Sequence, residues 1–184
     1  MKMIVVNLYA GPGAGKSTLS AYTFAKLKMA GVNCELITEF AKDKVWENNK
    51  TALSNQIYVY AKQYYRIDRC QNKVDVVITD SPLILSAHYN QDKAIEEPFK
   101  ELIRQINKKY LNLDYFVRRK KKYNPVGRLQ TEEEAKNYDI AIKELMDKFG
   151  INYKEIDGEL SSSDIILEDV LNYLERQKNG TLGN

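Results

Sequence analysis

The chain has 184 residues, 43% of them hydrophobic and 29% charged, with a net charge of +3. That length suits one domain with a sizeable core, and the composition is that of a globular protein rather than a disordered, collagenous or disulfide-built one. The small charge argues against a broad nucleic-acid footprint, no apolar run approaches membrane-spanning length, and Cys34 and Cys70 are too few and too far apart for a metal site, which fits a reduced setting.

The first segment sets the theme. Lys2 ahead of an apolar run has the outline of a signal peptide, but the run is short and passes directly into a glycine loop, so no leader is expected. Val5–Tyr9 reads as a buried strand, Ala10–Gly15 as a glycine-rich loop, and residues 17–30 as a helix. Strand, glycine loop and helix in that order is the context of a phosphate loop, G-x-x-x-x-G-K-[S/T], with Ala10 in place of the first glycine. Gly11, Gly13, Ala14 and Gly15 let successive backbone N–H groups curl into an anion nest, backed by the helix N-terminus at Ser17 and Thr18. Lys16 is the expected partner of the β- and γ-phosphates of ATP, and the Ser17 hydroxyl an expected ligand of Mg2+.

Four further strands are expected: Val32–Thr38, Val74–Thr79, Leu113–Arg118 and Asn152–Ile156. Helices are expected at 52–71, 93–110, 132–148 and 164–177. Thr131 and Glu134 form a capping box for the helix at 132–148, Ile140, Leu145 and Phe149 lie on its buried side, and Gly150 stops it. Strands alternating with helices predict an α/β fold around a parallel sheet, with ligands beyond the carboxyl ends of the strands. One domain over 1–177 is expected, with a basic lid at about 118–131 and a frayed tail at 178–184.

The residues after each strand are therefore the candidates. Glu39 follows the second strand and faces a substrate, either binding a ribose hydroxyl or acting as the base. Asp80 follows the third, placed for Mg2+ beside Ser17 or as the proton acceptor, and the sequence does not choose between the two acids. On the helix at 52–71, the stripe Ile57, Tyr60, Ala61, Tyr64 and Ile67 is most simply core packing. Gln56 and Gln63, seven apart and near Tyr60 and Arg66, make an alternative wall for a nucleobase. Arg118 and Arg128 flank a basic run, and guanidinium groups there can close over a transferring phosphoryl group. A DNA-binding patch is the rival reading of that run. Asp157 and Gly158 end the fifth strand, where backbone can edge an adenine ring, before a helix capped from Ser163 or Asp164. His88 reads as a surface or helix-end residue and Trp46 as packing.

Together "AGPGAGKST", "ITDSP" and "RRKKKYNPVGR" resemble the phosphate loop, acid-bearing turn and arginine lid of P-loop kinases of nucleosides and nucleotides, over about residues 3–175. "TEFAKD" and "TDSPL" are also similar to AAA-type kinase-like ATPases found in many phages and to nicotinamide riboside kinase-like domains. Ser81-Pro82 stands where many deoxynucleoside kinases carry an arginine. The resemblance implies a three-layer fold with a five-stranded parallel sheet ordered 2-3-1-4-5. It implies an ATP- and Mg2+-dependent phosphotransferase acting on a nucleoside- or nucleotide-like small molecule. The expected location is cytoplasmic, in the host if the source is a phage, with no membrane partner and with a homodimer left open. Two other readings stand beside it: a kinase acting on a base or end in DNA, and a non-enzymatic ATP-dependent switch.

Overall fold

The computed structural model describes residues 2–120 and 131–180. Five strands form one parallel sheet: β1 (Ile4–Tyr9), β2 (Cys34–Ile37), β3 (Val76–Thr79), β4 (Leu111–Arg118) and β5 (Tyr153–Asp157), in the order β2-β3-β1-β4-β5. This is the expected P-loop kinase fold. β1 is buried along its whole length because helices cover both faces, which is why its sequence is apolar except at Asn7.

The two faces have separate cores. Ile4, Val6 and Leu8 of β1 pack with Leu19 and Leu27 of α1 (Lys16–Met29), while Ile166 and Val170 of α8 (Ser162–Lys178) complete that layer. Val5 and Tyr9 face the other way, with residues of α4 (Gln56–Asp68), α6 (Glu96–Asn107) and α7 (Glu132–Lys148). The alternation follows from the two-residue period of a strand. Between Asn7 and Asp114, opposed in the β1–β4 register, the Asn7 amide donates to the Asp114 carboxylate at 3.0 Å. Burial raises the Asp114 pKa to about 6.

Several local expectations shift. The helix expected at 52–71 is two, α3 (Lys50–Ser54) and α4, because Asn55 caps α4 by accepting the Tyr58 N–H. Its buried stripe is Val59, Tyr60, Gln63 and Ile67, leaving Ile57 exposed. Residues 93–95 form a short 3-10 turn ahead of α6. Two short helices, α2 (Phe40–Trp46) and α5 (Leu85–Tyr89), escape the sequence reading. Trp46 is 65% exposed, so it is not a packing residue. The α7 capping box at Thr131 and Glu134 is present, and Gly150 takes the left-handed conformation after the helix. Its buried face is Ala135, Ile142, Leu145 and Met146, with Ile140 turned outwards. The N-cap of α8 is Ser161, with no side-chain capping bond.

Candidate active site

The parallel register brings the strand ends to one edge. Ile37 of β2 pairs with Thr79 of β3, and Thr79 with Asn7 of β1. Glu39 and Asp80 therefore leave the sheet side by side, next to the loop that follows β1. Arg118 pairs with Asp157 at the far side of the same edge.

The loop has the geometry its glycines foreshadow. Gly15 sits at φ +103°, in the left-handed region that a Cβ strongly disfavours, immediately before α1. Gly158 packs directly against it: a Cβ there would run into the carbonyl oxygen of Ala14 and crowd that of Arg118. The Gly158 N–H donates to the Arg118 carbonyl at 2.9 Å, so the β5 end and the loop form one surface. Among the described residues, the backbone N–H groups of Gly13 through Thr18 have no acceptor, and Ser17 and Thr18 are exposed. Open amides at a helix start make an anion site.

Lys16 arches back over its own loop, donating to the Ala10 carbonyl at 2.7 Å and the Gly11 carbonyl at 3.1 Å. Burial lowers its pKa, while Glu39, Asp80 and Asp139 pull it back up. Glu39 is the N-cap residue of α2, yet its side chain caps nothing. Burial raises its pKa and the neighbouring Asp80 adds to the rise, against the pull of Lys16. Asp80 is 7% exposed, and its Oδ1 has no hydrogen-bond partner among the described residues. One lysine and two acids thus converge beside open amides.

The α4 residues divide. Gln56 is partly buried at the helix start, donating to the Leu53 carbonyl at 3.1 Å. Gln63 is 3% exposed, so the two glutamines share no open face. Its Oε1 accepts the Phe40 N–H at 2.9 Å, and its Nε2 reaches the Thr79 hydroxyl at 3.4 Å. Gln63 thereby braces the residue after Glu39 and the residue before Asp80. Tyr60 lies buried with its ring edge-on to Phe99 at 5.3 Å, and its hydroxyl has no partner among the described residues. Arg66 is on the outer side, donating to the Thr38 carbonyl at 3.1 Å and paired with Asp43 at 2.6 Å.

Of the basic run, Arg118 is half exposed and paired with Asp157 at 2.8 Å, with Lys120 3.7 Å from the same carboxylate. Arg128 lies outside the described residues. Sequence reasoning passed over Arg119 and Asp139. Arg119 donates to the Pro12 carbonyl at 2.8 Å, the Ala135 carbonyl at 3.3 Å and Asp139 at 3.0 Å. Asp139 accepts the Gly11 N–H at 2.5 Å. Together they tie α7 to the phosphate loop, and Gly11 leaves no room for a Cβ against the Ala135 carbonyl. Only the midpoint position of Asp139 on a capped helix could have hinted at this.

An aromatic group also gathers here. Tyr138 of α7 lies 6.0 Å from Tyr89 and 5.3 Å from His88, ring centre to ring centre, both on α5. Burial lifts the Tyr89 hydroxyl pKa, and the Glu39 charge adds to it. Burial lowers that of His88.

The AAA domain family model matches residues 5–162. No curated protein matches the chain. Among solved structures, the deoxyadenosine kinase from M. mycoides with bound dATP superposes with a TM-score of 0.56, at 18% identity over 93% of this chain and 99% of that one. That likeness is one of fold. With a matching model over most of its length and a phosphate loop built as described, the chain belongs to the AAA domain family, in the P-loop kinase fold.

Proposed function

We propose that the chain is an ATP- and Mg2+-dependent kinase that transfers the γ-phosphoryl group to a hydroxyl or phosphate of a nucleoside- or nucleotide-like small molecule. The observation that carries this reading is the buried Asp80 carboxylate, with one oxygen unpartnered, set beside Lys16 and Glu39 at a loop of open amides. A buried carboxylate without a donor is costly, and a cation relieves that cost. Ser17 and Asp80 are the residues that would hold Mg2+, which when bound neutralises charge on the phosphate oxygens.

The other roles belong to the chain itself. The amides of Gly13–Thr18 take the donor phosphates, and Lys16 exchanges the Ala10 and Gly11 carbonyls for phosphate oxygens. Glu39 orients an acceptor hydroxyl and takes its proton as the hydroxyl oxygen bonds to the γ-phosphorus and the bond to the ADP oxygen breaks. Its raised pKa makes the carboxylate a stronger base. Arg118 and Arg128 neutralise the transferring group. Asp157 and Gly158 edge the adenine, and Tyr89 and Tyr138 wall the acceptor opposite Glu39. The fold likeness to a deoxyadenosine kinase supports a nucleoside-like acceptor.

The test is ATP turnover against nucleosides, nucleoside monophosphates, nicotinamide riboside and duplex DNA, with product masses recorded. A small-molecule product heavier by one phosphoryl group, abolished by Lys16→Ala, is expected. Phosphate on duplex DNA alone, or ATP binding without transfer to any acceptor, would overturn the reading.

A further inference from the structure

A second concave surface lies away from the phosphate loop, between the open edge of β2 and α4. It is a groove of about 560 Å³ whose walls are aromatic and basic. Tyr58, Lys62, Tyr65 and Arg66 on α4 and Arg69 at its C-cap follow one another at helical spacing, so they form a single stripe. Phe40 and Lys44 of α2 face them across the groove. Tyr65 is 64% exposed, and Tyr58, edge-on to Phe40 at 5.6 Å between ring centres, is 38% exposed.

The charges are unequal. Arg66 is paired with Asp43, and Lys44 with Glu47. Among the described residues, Lys62 and Arg69 have no carboxylate partner, and Lys62 stands over the Tyr58 ring at 5.6 Å from its centre. The groove therefore interleaves cations that no carboxylate holds, among the described residues, with partly exposed aromatic rings. Stacking rings along a positive track is the chemistry that holds single-stranded nucleic acid without reading its sequence. The spacing decides between a strand and a lone nucleotide. Tyr58 and Tyr65 are seven residues apart, about 10 Å along the helix axis at its usual rise. That is too far for one base to engage both rings, and suits two bases of one extended strand with a nucleotide between them.

We propose that this groove binds single-stranded nucleic acid, with bases on Tyr58 and Tyr65 and phosphates on Lys62 and Arg69. The site is separate from the phosphate loop: neither Lys16, Glu39 nor Asp80 lines it. The proposal does not depend on which acceptor the catalytic site takes.

The test is fluorescence anisotropy of a labelled mixed-sequence 12-mer single strand on the full chain, in a salt series, beside a duplex of the same sequence and a labelled ATP analogue. Single-strand binding is expected to exceed duplex binding. Tyr65→Ala should weaken it by about tenfold or more, given the stacking contribution of one ring. Lys62→Ala with Arg69→Ala should flatten the log–log salt slope by about 1.4, two phosphate contacts at roughly 0.7 each. Lys16→Ala should leave single-strand binding intact, and the groove variants should leave the ATP analogue bound. Equal affinity for duplex, or strand binding untouched by both groove variants, would overturn the proposal. So would a groove that takes only the mononucleotide. A change in native mass in the groove variants, without loss of strand binding, would assign the stripe to a second copy of the chain instead.

Discussion

Glu39 holds the conflict on which the proposed chemistry turns. Its carboxylate is drawn out of water beside Asp80, and Lys16, with a smaller pull from Lys42, opposes the rise in its pKa. The folded protein therefore holds the Glu39 proton more tightly than the unfolded chain does. Between the ordinary glutamate range and the raised value, the folded state binds more protons, so this residue's contribution makes stability fall as pH rises through that window. Two outcomes follow from one variant. Glu39→Gln should lower kcat by about 10²- to 10⁴-fold, the usual worth of a general base. The same variant should unfold at a higher temperature than the native protein at pH values above the raised Glu39 pKa, where the native carboxylate is charged. The acid limb of the native kcat/KM profile should lie above the ordinary carboxylate range and vanish in the variant. A variant less stable than the parent, with full activity, would remove Glu39 from the mechanism and make it a structural acid. The sequence marks this residue by its place after a strand. It does not mark Asp139, whose role comes from a turn of α7 meeting a loop more than a hundred residues earlier in the chain.

Between elements, Gln63 shows how a side chain on one helix sets the geometry of two strand ends. It accepts from Phe40 at the start of α2 and reaches Thr79 at the end of β3, whose hydroxyl also takes the Ser81 N–H at 3.1 Å. Gln63→Leu keeps the volume but leaves a buried Phe40 N–H without an acceptor, a loss of about 1–3 kcal/mol. Since both acids hang from the braced segments, kcat should drop further than ATP affinity does, and Gln63→Glu should recover part of it by restoring the acceptor. Equal losses in thermal midpoint and none in kcat would reduce Gln63 to a packing residue. The same comparison shows what was legible. β1 and β3 are mostly apolar runs buried on both faces, and α7 carries its capping box and terminal glycine, so all three were readable. The helices α2 and α5 have seven and five residues, too few turns to show a period. On α4, Tyr60, Tyr64 and Ile67 of the expected stripe pack inwards, but Ile57 and Ala61 stay exposed and Val59 and Gln63 are buried instead, because tyrosines and isoleucine occur on every side of the helix. Tertiary placement, with Gln63 taken inwards and Tyr65 left in solvent, then chose the face.

At the scale of the molecule, the phosphate loop is the point where the two layers meet. Through α1 it belongs to the core built with α8, and through Arg119 and Asp139 it is tied to α7 on the opposite face. Neither connection is a flexible tether. The Arg119–Asp139 pair is largely buried, at 11% and 19% side-chain exposure, and both partners also bond the loop backbone. A ligand that fixes the loop must therefore restrain both layers. Hydrogen exchange followed by mass spectrometry on the ATP-analogue complex should show slowing in the first turns of α1 and of α7 together. For amides that exchange by global unfolding, saturation at 100 times the dissociation constant corresponds to about 2.7 kcal/mol, roughly 100-fold. Asp139→Ala frees the Gly11 amide and leaves Arg119 without its carboxylate, so α7 should lose its share of the protection while α1 keeps it. The analogue should also bind less tightly, because the loop then pays its ordering entropy on binding. Protection confined to α1 in the native protein would mean that the clasp is a packing contact and that the layers respond separately. Joint protection, broken by Asp139→Ala, would make α7 the element through which the basic segment after β4 senses an occupied loop.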